Sequence, residues 1–436
     1  MTSEILMITT LIAIWISLFM ALVVVCSATH FWLKQSKKVT EIKPLKRYPK
    51  VTIIVPAHNE DVVIKPTVEA ILNLNYPADK IELLLYADNC EDNTYQVMQE
   101  VVGQPQYQGR DVTVINRHGT GSKAGVLNEA MARAKGEYLC IYDADAMPEE
   151  NALHFLVEKA LENPERHVAV FGRNKTRNAK QNFLTKCINQ EIVVTQRIQH
   201  VGLWHLFKIG RIPGTNFIIQ TKFVKSIGGW SKGALTEDTD ISFKIMQSGK
   251  LIALAFNSEA FQQEPETLKA YMMQRKRWAK GNYQVVISNF KHLFDNSNWR
   301  VKLETFYYAC TFFAFNLAII LSDFVFLFNI VCMGLEAFMP GIQLPFTFGE
   351  RNIYLVQILL FNWLLMILLY LIQVNIAMST QMGQATAQQV WIALAGYFTY
   401  SQLFIIISVD ALSSVILDKI LRRDGTKWVK TKRFTD

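Results

Sequence analysis

Four long apolar runs constrain this chain more than any other feature. The first, "ILMITTLIAIWISLFMALVVVCSAT", covers about residues 5–29. The others lie at about residues 306–334, 353–377 and 390–412. Each is near or above the ~20 residues a helix needs to cross a bilayer. A cleaved signal peptide fits the first run poorly, because it is too long and basic residues follow rather than precede it. The expected organisation is an N-terminal transmembrane anchor over 1–30, a large domain with an interfacial helix over 48–297, C-terminal transmembrane helices over 302–415, and a basic tail over 416–436.

Flanking charge gives the orientation. Glu4 is the only charged residue before the first run, whereas Lys34, Lys37, Lys38, Lys43, Lys46, Arg47 and Lys50 follow it. The positive-inside rule puts that side, and the large domain, in the cytoplasm of a multi-pass plasma-membrane protein. The tail "DKILRRDGTKWVKTKR" is as basic and belongs on the same side, yet three C-terminal spans would leave it outside. Either one run does not cross, or another crossing lies within 302–340. The net charge of +8 does not mean nucleic acid, since the basic residues follow no zinc-finger or RNP pattern. The six cysteines form no CxxC pair, so a disulfide framework is not expected, and the histidines show no HxxxH or HExxH spacing, so a zinc site is not expected.

The middle of the chain alternates strand and helix. "VTIIVPAHNE" opens as a buried strand that stops at Pro56; "IELLLYAD", "VTVINR" and "EYLCIYDAD" follow as further strands. Between them "DVVIKPTVEAILNLNY", "EDNTYQVMQEVV" (capped by Asp92 or Asn93) and "SKAGVLNEAMARAKG" (closed by Gly136) carry helical spacing. This order predicts an α/β fold with a doubly wound, mostly parallel sheet. Ligands of such sheets lie beyond the carboxyl ends of the strands. His58 to Glu60, Asp88, Arg117 to Lys123, and Asp143 with Asp145 all fall there.

Several short stretches offer chemistry, each with a plainer alternative. Asp143 and Asp145 in "YDADAM" supply two hard oxygen ligands for Mg²⁺ or Mn²⁺, or a solvated acidic loop. "HGTGSKAG" has the spacing of neither a dinucleotide fingerprint nor a P-loop; Lys123 there faces a phosphate or solvent. "GALTEDTDIS" places Glu237, Asp238 and Asp240 before an apolar-periodic helix. Thr236 and these acids serve as a helix cap, or a carboxylate acts as a general base. "QRKRW", residues 274–278, reads as a basic helix on lipid with Trp278 at the interface, or as part of a site. Gln274, Arg277 and Trp278 share one helix face, leaving Arg275, Lys276 and Lys280 for membrane or solvent.

Taken in order, "VTIIVPAHNE", "YADNCEDNT", "GSKAGVLNEA", "YDADA", "PGTNF", "LTEDTDISFK" and "QRKRWAKGN" resemble the membrane-embedded, processive-type family 2 glycosyltransferases of the GT-A fold. Cellulose, hyaluronan, chitin-oligosaccharide and poly-N-acetylglucosamine synthases are examples. The motifs cover about residues 51–282, and the flanking apolar runs extend the likeness over nearly the whole chain. The resemblance implies that Asp88 contacts the uridine of a UDP-sugar donor and that Lys123 lies near the nucleotide or its diphosphate. It implies that Asp143 and Asp145 form the Asp-x-Asp element, with Asp145 the metal ligand, and that Asp238 of Thr-Glu-Asp is the base. Gln274, Arg277 and Trp278 match Gln-x-x-Arg-Trp, with Arg277 on the pyrophosphate and Trp278 stacking on the acceptor sugar. Many relatives have Asp-Asp-Gly where this chain has Asp88, Asn89 and Cys90, and Tyr or Arg where it has His58.

The expected activity is inverting transfer from a UDP-sugar (UDP-N-acetylglucosamine or UDP-glucose) to extend a β-linked polysaccharide, with an accessory export protein as a partner. Single addition to a lipid acceptor is the alternative. A catalytically dead transport or scaffold component is the remaining one.

Overall fold

The β-branched runs form the centre of a single eight-stranded sheet. The computed structural model describes residues 2–35, 42–119, 121–317 and 353–421, with scattered positions between 319 and 339. Part of the second apolar run, Lys37, Lys38 and the basic tail beyond residue 421 lie outside the described residues.

The strands are β1 (Val51–Ala57), β2 (Ile81–Asp88), β3 (Asp111–Arg117), β4 (Tyr138–Ile141), β5 (Met147–Pro148), β6 (His167–Thr176), β7 (Phe217–Gln220) and β8 (Leu251–Gln262). Their order across the sheet is β3-β2-β1-β4-β7-β6-β8-β5. The first four pair in parallel as expected, and β1, β2 and β4 are buried along their whole length. Continuous apolar runs of this kind belong to a sheet covered on both faces. β1 runs on through Pro56 to Ala57, one residue past the expected stop. β4 pairs with β1 only as far as Ile54, so no ladder bond on that side needs the missing proline N–H.

The second half of the sheet corrects the mostly parallel expectation. β7 is antiparallel to both β4 and β6, and β5 is antiparallel to β8. The sheet is mixed. Phe217 at the start of β7 lies opposite Ile141 at the end of β4. A strand entering in that sense delivers its preceding loop to the same edge at which β4 releases Asp143 and Asp145.

The helices are α1 (Thr2–Gln35), α2 (Ile64–Leu72), α3 (Thr94–Val102), α4 (Lys123–Arg133), α5 (Ala152–Glu162), α6 (Phe183–Val194), α7 (Val201–Phe207), α8 (Thr221–Ser226), α9 (Glu237–Gln247), α10 (Leu268–Asn289), α11 (Trp299–Ala309), α12 (Ile353–Met382), α13 (Ala387–Phe398) and α14 (Tyr400–Ile420). Asp92 is the side chain that caps α3, accepting from the Thr94 amide at 3.0 Å. Ser122 caps α4 through the Gly125 amide. α4 ends at Arg133, so Gly136 does not close it.

Among the described residues, two helices are long and apolar enough to cross a membrane, Ile8–Gln35 and Phe361–Met382. The run at 390–412 does not form a third, which corrects the multi-pass expectation for that segment. It breaks at Thr399 into α13 and α14. The 12 residues of α13 reach about 18 Å at 1.5 Å per residue, short of a hydrocarbon core of about 30 Å. α14 packs along α10, where Asp410 accepts from Lys276 at 2.8 Å and Asp418 pairs with Lys280.

Candidate active site

The carboxyl end of β2 buries Asp88 completely. Arg117, at the end of β3, donates to its Oδ1 at 2.5 Å and to Glu129 at 2.8 Å. The His58 ring bonds the Asp88 carbonyl at 2.8 Å. The other carboxylate oxygen of Asp88 has no hydrogen-bond partner among the described residues. Asn89, in the position that departs from Asp-Asp-Gly, has φ +50°. Asparagine tolerates this left-handed conformation better than most residues. Its side chain holds the next loop, accepting from the Gly119 amide and donating to the Gly119 carbonyl, both at 3.2 Å.

At the end of β4, the Asp143 amide donates to Thr215 at 3.0 Å, and Asp145 is 5% exposed. Lys123, at the start of α4, joins three elements. Its Nζ lies 2.6 Å from Asp143 and 3.2 Å from Glu237, and donates to the Gly214 carbonyl at 2.9 Å. Burial opposes its charge, but Asp143 and Glu237 outweigh burial and hold the ammonium above its ordinary pKa. Gly214 belongs to the loop before β7 and has φ +84°. A Cβ there would stand 3.0 Å from Asp238 Oδ2. The close approach and the left-handed backbone both require glycine.

Asp238 lies in the first turn of α9. Thr236, the expected cap, makes no capping bond from its side chain. Its hydroxyl is buried with no hydrogen-bond partner among the described residues, and Thr236 lines the cavity described below. Asp238 accepts from the Thr239 amide at 2.7 Å. Burial and the neighbouring Glu237 push its carboxyl up to about 7, against the opposing pull of Lys123 and Arg277.

α10 delivers the basic motif. Gln274 is buried and Arg277 and Trp278 are half-buried. Arg275 does not face membrane or solvent: it is 6% exposed, with its guanidinium over Trp278 at 4.2 Å and over Tyr271 at 5.3 Å. The sequence carried the signal, because 271, 274, 275 and 278 are spaced as one helix stripe. Lys276 and Lys280 pair with α14 instead of lipid.

One cavity of about 860 Å³ joins these parts. Lys123, Asp143, Asp145, Glu237 and Asp238 line it, as do Gln274, Arg277 and Trp278. Asp88 does not; it sits one strand over. Sequence reasoning missed Asn174, Arg211 and Arg275, which line the same cavity. Arg211 is fixed by Glu304 of α11 through bonds of 2.5 and 3.0 Å. Only the tertiary fold brings that pair together.

The family model described as "Glycosyltransferase like family 2" matches residues 49–281. The chain is also 33% identical over 390 residues to a "Probable glycosyltransferase YdaM" of Bacillus subtilis, covering 89% of this chain and 88% of that one. The chain belongs to the family 2-like glycosyltransferases. It is thus a sugar-transferring enzyme of the hexosyltransferase class. The glycosyltransferase is 31% identical to a beta-monoglucosyldiacylglycerol synthase of Trichormus variabilis over 54% of its own length and 49% of the relative's. It is 27% identical to a poly-beta-1,6-N-acetyl-D-glucosamine synthase of Staphylococcus epidermidis over 55% of its own length and 56% of the relative's. It therefore spans about half the length of these two relatives. A mannosyltransferase of Pyrobaculum calidifontis, solved with GDP-Man and Mn²⁺, aligns with a TM-score of 0.56 at 19% identity, over 90% of this chain and 99% of that one. That likeness carries the fold, an α/β GT-A fold built on a mixed sheet.

Proposed function

We propose that this glycosyltransferase transfers a hexose from a UDP-sugar, with inversion, to extend a β-linked glycan at the cytoplasmic face of a membrane. UDP-N-acetylglucosamine and UDP-glucose are the donors it fits. The supporting observation is the single cavity whose wall holds the carboxylate pair, Lys123, Asp238, Arg277 and Trp278. In this reading residues 48–297 are the catalytic unit and 1–30 its anchor. Residues 302–415 are the membrane-adjacent part, and 416–436 a basic tail.

Asp238 is the base. A carboxyl poised near neutral pH suits proton abstraction at cellular pH. It takes the proton of the acceptor hydroxyl as that oxygen bonds the anomeric carbon and the bond from that carbon to the diphosphate breaks. One displacement turns an α-linked donor into a β-linked product and needs no protein nucleophile. The UDP that leaves carries the electron pair, and Arg277 and Lys123 offset its charge. Asp143 and Asp145 are hard oxygen donors that fit Mg²⁺ or Mn²⁺ sharing its ligands with a diphosphate, and the ion would offset leaving-group charge.

A lipid acceptor is the second reading. It is favoured by the apolar part of the same cavity, where Leu18 and Met20 of α1 and Met366 and Leu369 of α12 form the wall. Incubating the full chain in lipid nanodiscs with radiolabelled UDP-sugars and sizing the product separates the two. A polymer supports glycan extension, and a single addition to lipid replaces it.

A further inference from the structure

The loop of residues 208–216, between α7 and β7, touches each charged element around the base. Its Gly214 carbonyl accepts from Lys123, and its Thr215 hydroxyl accepts from the Asp143 amide. The Ile212 amide donates to Ser242 of α9 at 3.0 Å, and the Ser242 hydroxyl donates to the Asp238 carbonyl at 2.7 Å. Gly214 comes so near that a Cβ there would stand 3.0 Å from Asp238 Oδ2. A shift of this loop therefore disturbs Lys123, Asp143 and Asp238 together.

Arg211 ties the loop to α11. Its guanidinium forks onto both oxygens of Glu304, whose side chain is 1% exposed, and lies over the rings of Tyr307 at 4.9 Å and Tyr308 at 4.6 Å. Burial opposes the Arg211 charge, but Glu304 outweighs burial and holds the guanidinium above its ordinary pKa. α11 also grips the helix that carries the base, because Tyr308 meets Phe243 of α9 edge to face with ring centroids 6.0 Å apart. A buried ion pair is a poor way to glue two segments, since apolar residues of the same volume hold them as well or better. What the pair adds is direction: the planar fork fixes its carboxylate in one orientation. Beyond Ala309 the chain runs on from α11 into the second apolar run.

We infer that Glu304 is a positioning residue for the base: through Arg211 it fixes the Gly214 loop against Asp238, and so couples the transfer step to the helix that leads into the second apolar run. This rests on the reading of Asp238 as the base. The charged and titratable groups that face Asp238 are Glu237 of α9, Lys123 of α4, Arg277 of α10 and Tyr308 of α11. Arg211 lines the same cavity. Removing the Glu304 charge leaves Arg211 uncompensated there, which favours the ionised base. The same change frees the loop, which misplaces the base.

The test uses the full chain in lipid nanodiscs with UDP-glucose and UDP-N-acetylglucosamine, reading kcat and donor KM for UDP release from pH 5 to 10. Glu304→Gln is expected to lower kcat on the order of tenfold or more, with donor KM within about threefold of wild type. It is also expected to move the rising limb of kcat/KM to lower pH by about half a unit or more. Because Glu304→Gln leaves Arg211 buried without its partner, a double variant, Arg211→Met with Glu304→Met, removes both charges and keeps the apolar bulk. The double variant is expected to keep the limb within about 0.3 units of wild type and still show the lowered kcat. A kcat within about threefold of wild type in either folded variant overturns the inference, because packing alone then places the loop. An unmoved limb in Glu304→Gln also overturns it, because a merely structural pair lowers the folded fraction, and with it kcat, at every pH alike. Asp238→Asn, run alongside, separates the two failures. Release kept at the wild-type rate there removes the base reading, whereas release lost there with both pair variants at wild-type kcat removes only the positioning role.

Discussion

Replacing Lys123 by methionine removes the one cation that joins Asp143, Glu237 and the loop of Gly214. Its effect on the base follows from geometry. A Cβ at Gly214 would lie 3.0 Å from Asp238 Oδ2 and 3.9 Å from Lys123 Nζ, so the two charges are at most about 7 Å apart. At an effective dielectric of about 20, that separation corresponds to about 2 kcal/mol, or between one and two pH units. Lys123 pulls the Asp238 carboxyl down and sets it near 7 together with burial and Glu237. The base acts ionised, so wild-type kcat/KM rises as pH increases through about 7. In Lys123→Met the rising limb moves up by about one to two pH units, whatever happens to the plateau. Measuring kcat/KM for UDP release between pH 5 and 10 checks this, because that parameter reports the free enzyme. A limb that stays put, or moves to lower pH, refutes the coupling.

Other outcomes follow from the same site. Burial raises the Asp238 carboxyl above its unfolded value, so the folded state binds the extra proton and loses stability as pH rises from about 4 to about 7. Asp238→Asn should therefore have a higher Tm than wild type at pH 8 by calorimetry, with the difference shrinking toward pH 4. Gly214→Ala adopts φ +84° with a side chain, a strain of about 1–3 kcal/mol. It also presses Asp238, so a lower Tm and a loss of kcat on the order of tenfold are expected. Arg277→Ala and Trp278→Ala should each abolish synthesis while the chain still inserts into membranes, as measured by flotation with liposomes. Normal product from either returns the motif to a lipid-facing role.

Much of this was legible in the sequence because strand ends are marked chemically. A β-branched run that turns polar gave β2 ending at Asp88 and β4 ending just before Asp143. What was hidden depends on neighbours distant in sequence. The antiparallel β7 has an apolar run no different from a parallel strand's, and only its pairing with β4 reveals its direction. Arg275 sits in a basic cluster that reads as surface, and its burial depends on Glu191 of α6 and the Trp278 ring. Thr236 has the residue type of a helix cap, yet α9 starts without using it. The run at 390–412 is apolar enough to span, but Thr399 interrupts it and Asp410 ties its second half to Lys276.

The central claim is that Asp238 removes a proton from an acceptor hydroxyl while a UDP-sugar is displaced. Its most direct measurement compares wild type and Asp238→Asn for transfer from radiolabelled UDP-glucose and UDP-N-acetylglucosamine with Mg²⁺ or Mn²⁺, and with EDTA. Loss of a general base costs about 10²–10⁴-fold. Metal-dependent transfer by wild type that falls at least a hundredfold in Asp238→Asn, with the variant still folded, is the predicted result. Transfer that persists at wild-type rate in Asp238→Asn, or no transfer from any UDP-sugar by wild type, would contradict it.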